Sequence, residues 1–310
     1  MKKLIACVTV ASTVVFLWIH TPFEAVIVRS DGSLSVYETA PEDDPGWDNV
    51  GIRGGGTGIY LESQWVLTAA HVGEGNIVLR SQTFSAVSGT THRLLNADNS
   101  ETDIILFRIS GDPGLPSLQI SEQTPSIGSD LVMIGAGRNR EADVTRWDED
   151  WKEDPEGSTE GYKWTGSRTM RWGTNTIDDL ETFDVEWGEV DSLVTEFSDT
   201  EGSGQGTPGD SGGAVFYKNG DDWELAGMMH AVGLFTGQPK ETSVFSFAPS
   251  FPPNQPESGN PTLSADLSQY RDQIYSIIPE PGSIALLSGI AVLGIIVLRH
   301  RKRSTPHPRS

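Results

Sequence analysis

The sequence predicts an all-β fold that ends in a single C-terminal helix. Frequent turn formers, short apolar runs and a near absence of helical periodicity carry that prediction. Thirty-four glycines and 18 prolines recur along the 310 residues, and breaks this frequent divide a chain into many short strands and turns. Between them lie strand-like runs, among them Trp65-Val66-Leu67 and the stretch from Thr102 to Ile109. Only Leu267 to Ile278 keeps helical spacing, through Leu267, Tyr270, Ile274, Ile277 and Ile278.

Taken in order, the chain opens with Met1-Lys2-Lys3 and an apolar run from Leu4 to Ile19. A basic start followed by a short hydrophobic core reads as a secretory signal peptide. The run is short for a spanning helix, which needs about 20 apolar residues; a permanent N-terminal anchor is the alternative. Cleavage is placed after Ala25, making residues 1–25 the signal. Cys7 is the only cysteine and lies in that segment. The hydrophobic run follows Cys7 rather than preceding it, which argues against a lipoprotein box at Leu4-Ile5-Ala6-Cys7. An exported protein without disulfides relies on its core, and a chain of about 250 residues is long enough to bury one.

Three elements carry chemistry. Thr68-Ala69-Ala70-His71 follows an apolar run, Asp103 opens another, and Gly209-Asp210-Ser211-Gly212-Gly213 sets a serine in a glycine-rich turn. A serine hydroxyl is a weak nucleophile until an adjacent base takes its proton. His71 is that candidate base, and Asp103 the group that holds the imidazole in one tautomer. Glycines around Ser211 allow a backbone path that aims Gly209 and Ser211 N–H groups at a developing oxyanion. The order His, Asp, Ser is one of the known triad orders. It fits an α/β-hydrolase esterase badly, because there the serine comes first.

On these residues the chain resembles the chymotrypsin/trypsin family of serine endopeptidases. The matching segments are Trp65 to His71, Asp103 to Leu106 and Gly209 to Val215. Leu225-Ala226-Gly227-Met228-Met229-His230 is similar to the strand that lines the substrate cleft. The likeness covers roughly residues 50 to 275. It implies two packed antiparallel β-barrels within a domain spanning 26–278: a first barrel about 46–135, a second about 136–265, and a helix at 266–278. It further implies His71, Asp103 and Ser211 as the triad, Gly209 and Ser211 as oxyanion donors, and peptide-bond hydrolysis through an acyl-enzyme. The substrate is then a protein or peptide, and neither a metal nor an organic cofactor is needed. A protein that keeps the fold only to bind a partner is the competing reading.

The departures from the family are informative. The segment from His71 to Asp103 is short, and the disulfides of animal relatives are absent. In relatives made as zymogens, the aspartate before the serine pairs with a newly freed N-terminus. Cleavage after Ala25 would free Val26-Ile27-Val28 for such a pairing with Asp210. Six residues before the nucleophile, at the base of the family's specificity pocket, stands Gln205. A neutral amide there implies no strong preference for Lys or Arg at the residue preceding the scissile bond. His230 either faces this pocket or is a structural histidine, and His92 is placed on a connecting loop.

Between the barrels, the acidic run from Asp148 to Glu156 is broken by Pro155 and reads as a solvated loop. Its spacing fits no calcium loop of the EF-hand kind. Tyr162 to Gly173 reads as an early strand of the second barrel, with Trp164 and Trp172 as core residues. Gly202 to Pro208 is a glycine-rich lead into the nucleophile turn.

Pro279-Glu280-Pro281, an apolar stretch from Ile284 to Leu298 and a basic end from Arg299 to Arg303 close the chain, with residues 304–310 as a basic tail. Fifteen helical residues reach only about 22 Å, and the positive end stays cytoplasmic. Residues 279–303 resemble the PEP-CTERM sorting tail of Gram-negative bacteria. That likeness implies an exosortase-type processing enzyme as a partner and release to the cell surface or medium; an ordinary C-terminal membrane helix is the alternative. The formal charge of −21 argues against nucleic acid, since phosphate binding draws on Lys and Arg. Nothing in these motifs sets an oligomeric state.

Overall fold

The structure is a computed structural model that describes residues 26–247 and 259–278. The segments read from the sequence as a signal peptide, residues 1–25, and a sorting tail, residues 279–303, lie outside the described residues. Among the described residues no helix is long and apolar enough to cross a membrane.

Two seven-stranded antiparallel sheets make the two bodies that the all-β expectation called for. The first runs in the order Gln82–Phe84, Ile77–Leu79, Val50–Arg53, Gly56–Glu62, Trp65–Ala69, Glu101–Arg108 and His92–Leu95. The second runs Arg171–Thr176, Asp130–Gly135, Ala214–Asn219, Asp222–Val232, Pro261–Asp266, Gly188–Glu196 and Asp179–Val185.

Strand periodicity explains why both faces of these sheets are apolar. Side chains alternate across a strand. Trp65, Leu67 and Ala69 enter the core shared by the two bodies, while Val66 enters a separate cluster with Tyr60, Ile77 and Phe107. The shared core joins Ile59, Leu67 and Ile104 of the first sheet to Ile134, Phe216 and Met228 of the second. Leu67 is fully buried, which contributes about 1.5–3 kcal/mol.

The helix after the second sheet seals this core through Leu267, Tyr270 and Ile274. Its first turn, Leu267–Tyr270, is a 3-10 turn capped by the Asp266 side chain on Ser268 N–H, and the α-helix proper is Arg271–Ile277.

Three placements differ from the sequence reading. Asp130–Gly135, counted with the first barrel, pairs with Arg171–Thr176 and Ala214–Asn219 and so belongs to the second. Tyr162 to Gly173 is not one strand but parts of two, because the chain turns between Arg168 and Arg171. Its first part, Thr159–Arg168, sits in a smaller four-stranded sheet with Arg138–Arg140, Thr145–Trp147 and Thr242–Ser246. His92, placed on a loop, begins strand His92–Leu95 with its ring against Trp65. Trp164 is buried as expected, with its indole N–H bonded to Ser243 Oγ at 2.8 Å.

Candidate active site

Strand register brings the histidine and the aspartate together. Trp65–Ala69 pairs with Glu101–Arg108 so that Ala69 lies opposite Ile104. One step on, Ala70 N–H donates to the Asp103 carbonyl at 3.0 Å. The Asp103 side chain therefore meets His71, which follows Ala70. Its Oδ1 accepts from the His71 main-chain N–H at 3.0 Å, and its Oδ2 lies 2.6 Å from Nδ1. An ionised carboxylate only accepts, so in the neutral ring Nδ1 carries the proton and Nε2 is the acceptor nitrogen. Asp103 is 1% exposed, which shields this contact from water.

The nucleophile turn is held to both bodies. Asp210 N–H donates to Thr207 O at 2.9 Å, and Gly212 N–H to Met229 O at 2.8 Å. From the first body, Thr57 N–H donates to Ser211 O at 2.9 Å and Thr57 Oγ1 to Gly209 O at 2.8 Å. Thr57 is itself held by Thr68 Oγ1, which donates to its carbonyl at 2.6 Å. Gly212 has φ +87°, and a Cβ there would strike the Thr57 carbonyl oxygen and Thr68 Oγ1. Gly56 marks the seam, since a Cβ on it would meet both Val72, the neighbour of His71, and the Ser211 carbonyl. Among the described residues, the N–H groups of Gly209 and Ser211 have no acceptor.

Asp210 is 1% exposed. Burial pushes its carboxyl well above the usual range. The Thr207 N–H and hydroxyl, the Arg168 charge and the Val26 main-chain N–H oppose that rise. Oδ2 takes the two Thr207 bonds, at 2.8 and 3.1 Å, while Oδ1 makes no full hydrogen bond among the described residues. Val26, Ile27 and Val28 are fully buried beside it, and Ile27–Val28 pairs with Gly204–Gln205.

Gln205 is fully buried, and neither atom of its amide finds a partner among the described residues. The next residue, Gly206, donates its N–H to Thr262 Oγ1 at 2.9 Å and lies against Val232 and Met229. His230 is also buried, with Nε2 2.9 Å from Ser192 Oγ and Nδ1 unpartnered among the described residues. Ser192 Oγ donates to Val190 O, so it accepts from His230 Nε2–H. Burial pushes His230 down to about 4, with Asp103 and His71 close enough to act on it in opposite senses. It is thus a neutral imidazole behind the His71–Asp103 pair.

Sequence reasoning missed Thr57, Thr68, Arg168, Ser192 and Trp187. Gly56-Thr57-Gly58 carries the one visible signal, a threonine between glycines just ahead of the histidine segment. Trp187 comes from the turn after Asp179–Val185 and sets its ring 6.4 Å from that of His71. No metal-binding group of His, Cys, Asp or Glu occurs among the described residues.

No curated protein matches the chain in sequence. Similar solved folds include the Rv3671c protease of M. tuberculosis in its inactive form, at 15% identity over 75% of this chain and 90% of that one, TM-score 0.43. A mutant of human heparin binding protein (CAP37) is similar at 15% identity over 81% of this chain and 99% of that one, TM-score 0.47. The HtrA-type protease AlgW with a decapeptide is similar at 16% identity over 72% and 51%, TM-score 0.38. The family model of the trypsin-like peptidase domain matches residues 56–228, a span that runs from the strand of Thr57 past Ser211 into the strand of His230. The chain belongs to the trypsin-like peptidase family.

Proposed function

We propose that the protein is an exported serine endopeptidase acting through His71, Asp103 and Ser211. The observation that carries the reading is the pair of contacts between the buried Asp103 carboxylate and His71, at 3.0 and 2.6 Å. They leave Nε2 as the base. Ser211 Oγ attacks the scissile carbonyl carbon while Nε2 takes its proton. The carbonyl oxygen becomes an oxyanion facing the Gly209 and Ser211 N–H groups. On collapse the C–N bond breaks, His71 returns the proton to the leaving amine, and an ester to Ser211 remains. Water, deprotonated by His71, then releases the acid and restores the hydroxyl.

Asp103→Asn keeps the shape but reverses the hydrogen-bond sense, and kcat on a peptide substrate is expected to fall by about 10⁴-fold. Full activity in that variant would contradict the assignment. Export, processing near Pro279-Glu280-Pro281 by an exosortase-type enzyme, and delivery to the cell surface or medium belong to the same proposal. They rest on the two end motifs, and the intact mass of the protein from its host tests them.

A further inference from the structure

The turn between strands Asp179–Val185 and Gly188–Glu196 crosses from the second body to the first. Gly188, at φ +125°, packs so closely on Glu101 and Thr102 that a Cβ would strike the Glu101 carbonyl oxygen. Arg93 clamps the crossing. Its Nε donates to Thr102 O at 2.7 Å, its Nη2 to Trp187 O, and its Nη1 pairs with Glu101 at 2.8 Å. The hairpin tip is thereby fixed on the strand that carries Asp103, and Trp187 is held with its ring 6.4 Å from that of His71 while remaining 39% exposed.

Beside this ring lies a groove of about 490 Å³, lined by Arg93, Glu101, Asp184, Trp187 and Glu189 among others. The charge of Arg93 is matched by Glu101. Asp184 and Glu189 are exposed and make no ion pair among the described residues. An aromatic face rimmed by unmatched carboxylates suits a cation. A Lys or Arg side chain can lay its charge over the ring and its methylenes along the indole.

Resting on the peptidase reading above, we infer that Trp187, Asp184 and Glu189 form a substrate subsite for a basic residue flanking the scissile bond. This is distinct from the residue whose carbonyl is attacked. The hairpin itself is the specificity device: it carries a recognition surface from one body to the catalytic histidine of the other.

The test uses the full chain with Ser211→Ala and peptides that differ only at one flanking residue, Lys, Leu or Glu, with binding measured by fluorescence titration. The Lys peptide is expected to bind about tenfold more tightly than the Glu peptide at low ionic strength, with the gap shrinking as salt screens exposed charges. The double variant Asp184→Asn, Glu189→Gln should close most of that gap. Trp187→Ala should weaken the Lys peptide several-fold, and Trp187→Phe should retain part of the loss. Equal binding, a preference for Leu or Glu, or a Lys preference untouched by the double variant overturns the subsite. Phosphonate labelling of the unmodified chain is run alongside. Labelling without a Lys preference removes the subsite alone, and a Lys preference without labelling removes the peptidase reading alone.

Discussion

A carboxylate with almost no exposed surface must find positive charge or stay protonated, and Asp210 meets that demand one residue before Ser211. Its position also explains Gly135, where a Cβ would strike Oδ1. Gln205 is the neutral counterpart. Leaving an amide buried without partners costs about 1–3 kcal/mol for each group. Wild-type cleavage is expected to show no dominance of Lys or Arg at the residue preceding the scissile bond. Gln205→Asp should raise their kcat/KM relative to neutral residues by at least about tenfold; a peptide library in which the wild type already favours them would contradict the pocket assignment.

Glu196 is a half-buried acid, pushed up to about 7, first by partial burial and then by the nearby carboxylates of Asp178 and Asp179. The folded state therefore holds its proton more tightly than the unfolded chain does. The contribution is present below the ordinary value of 4.5 and is lost as pH rises towards 7. Glu196→Gln keeps the shape without the charge. Its unfolding free energy should exceed that of the wild type increasingly between those pH values, by about 1–3 kcal/mol after solvent screening of this partly exposed group. An unchanged difference across that range would show that Glu196 ionises freely.

At the scale of elements, local pattern and long-range placement separate cleanly. The strands that place His71 and Asp103 were readable because one is a short apolar run that stops just before the histidine and the other is an apolar run that the aspartate opens, and the terminal helix because its apolar spacing persists. The 3-10 start of that helix was not readable, since it follows from Asp266 capping Ser268. The split of Tyr162 to Gly173 between two sheets was equally hidden, because which sheet a strand joins depends on distant partners. So was the hairpin that delivers Trp187: nothing in Val185-Glu186-Trp187-Gly188 points to Glu101, eighty-odd positions earlier.

The segment Val26 to Val28 makes a sharper prediction at this scale. It is fully buried, with the Val26 nitrogen acting on Asp210. Release at Ala25 turns a neutral N–H into an ammonium beside that carboxylate, which favours its ionised form. N-terminal sequencing of the active protein is expected to begin Val-Ile-Val. A variant that retains Ala25 should lose most of its activity while staying folded; a fully active chain that starts elsewhere would contradict this role.

For the whole molecule, the site is a property of the interface between the two bodies. His71 and Asp103 come from one, Ser211 from the other, and Thr57 ties them through the carbonyls of Gly209 and Ser211. The three motifs were legible in order along the chain, and the family likeness supplied the packing that order alone does not. The clamps were not legible, because a threonine between glycines has no chemistry until its neighbours across the seam are known. The central claim is that a first-body histidine activates a second-body serine. Mass spectrometry of the chain treated with a fluorophosphonate tests it most directly. The account predicts one adduct, on the peptide containing Ser211, formed at least about 10³-fold more slowly in His71→Ala. A folded wild-type chain that takes no adduct there, or a rate indifferent to His71, would contradict it.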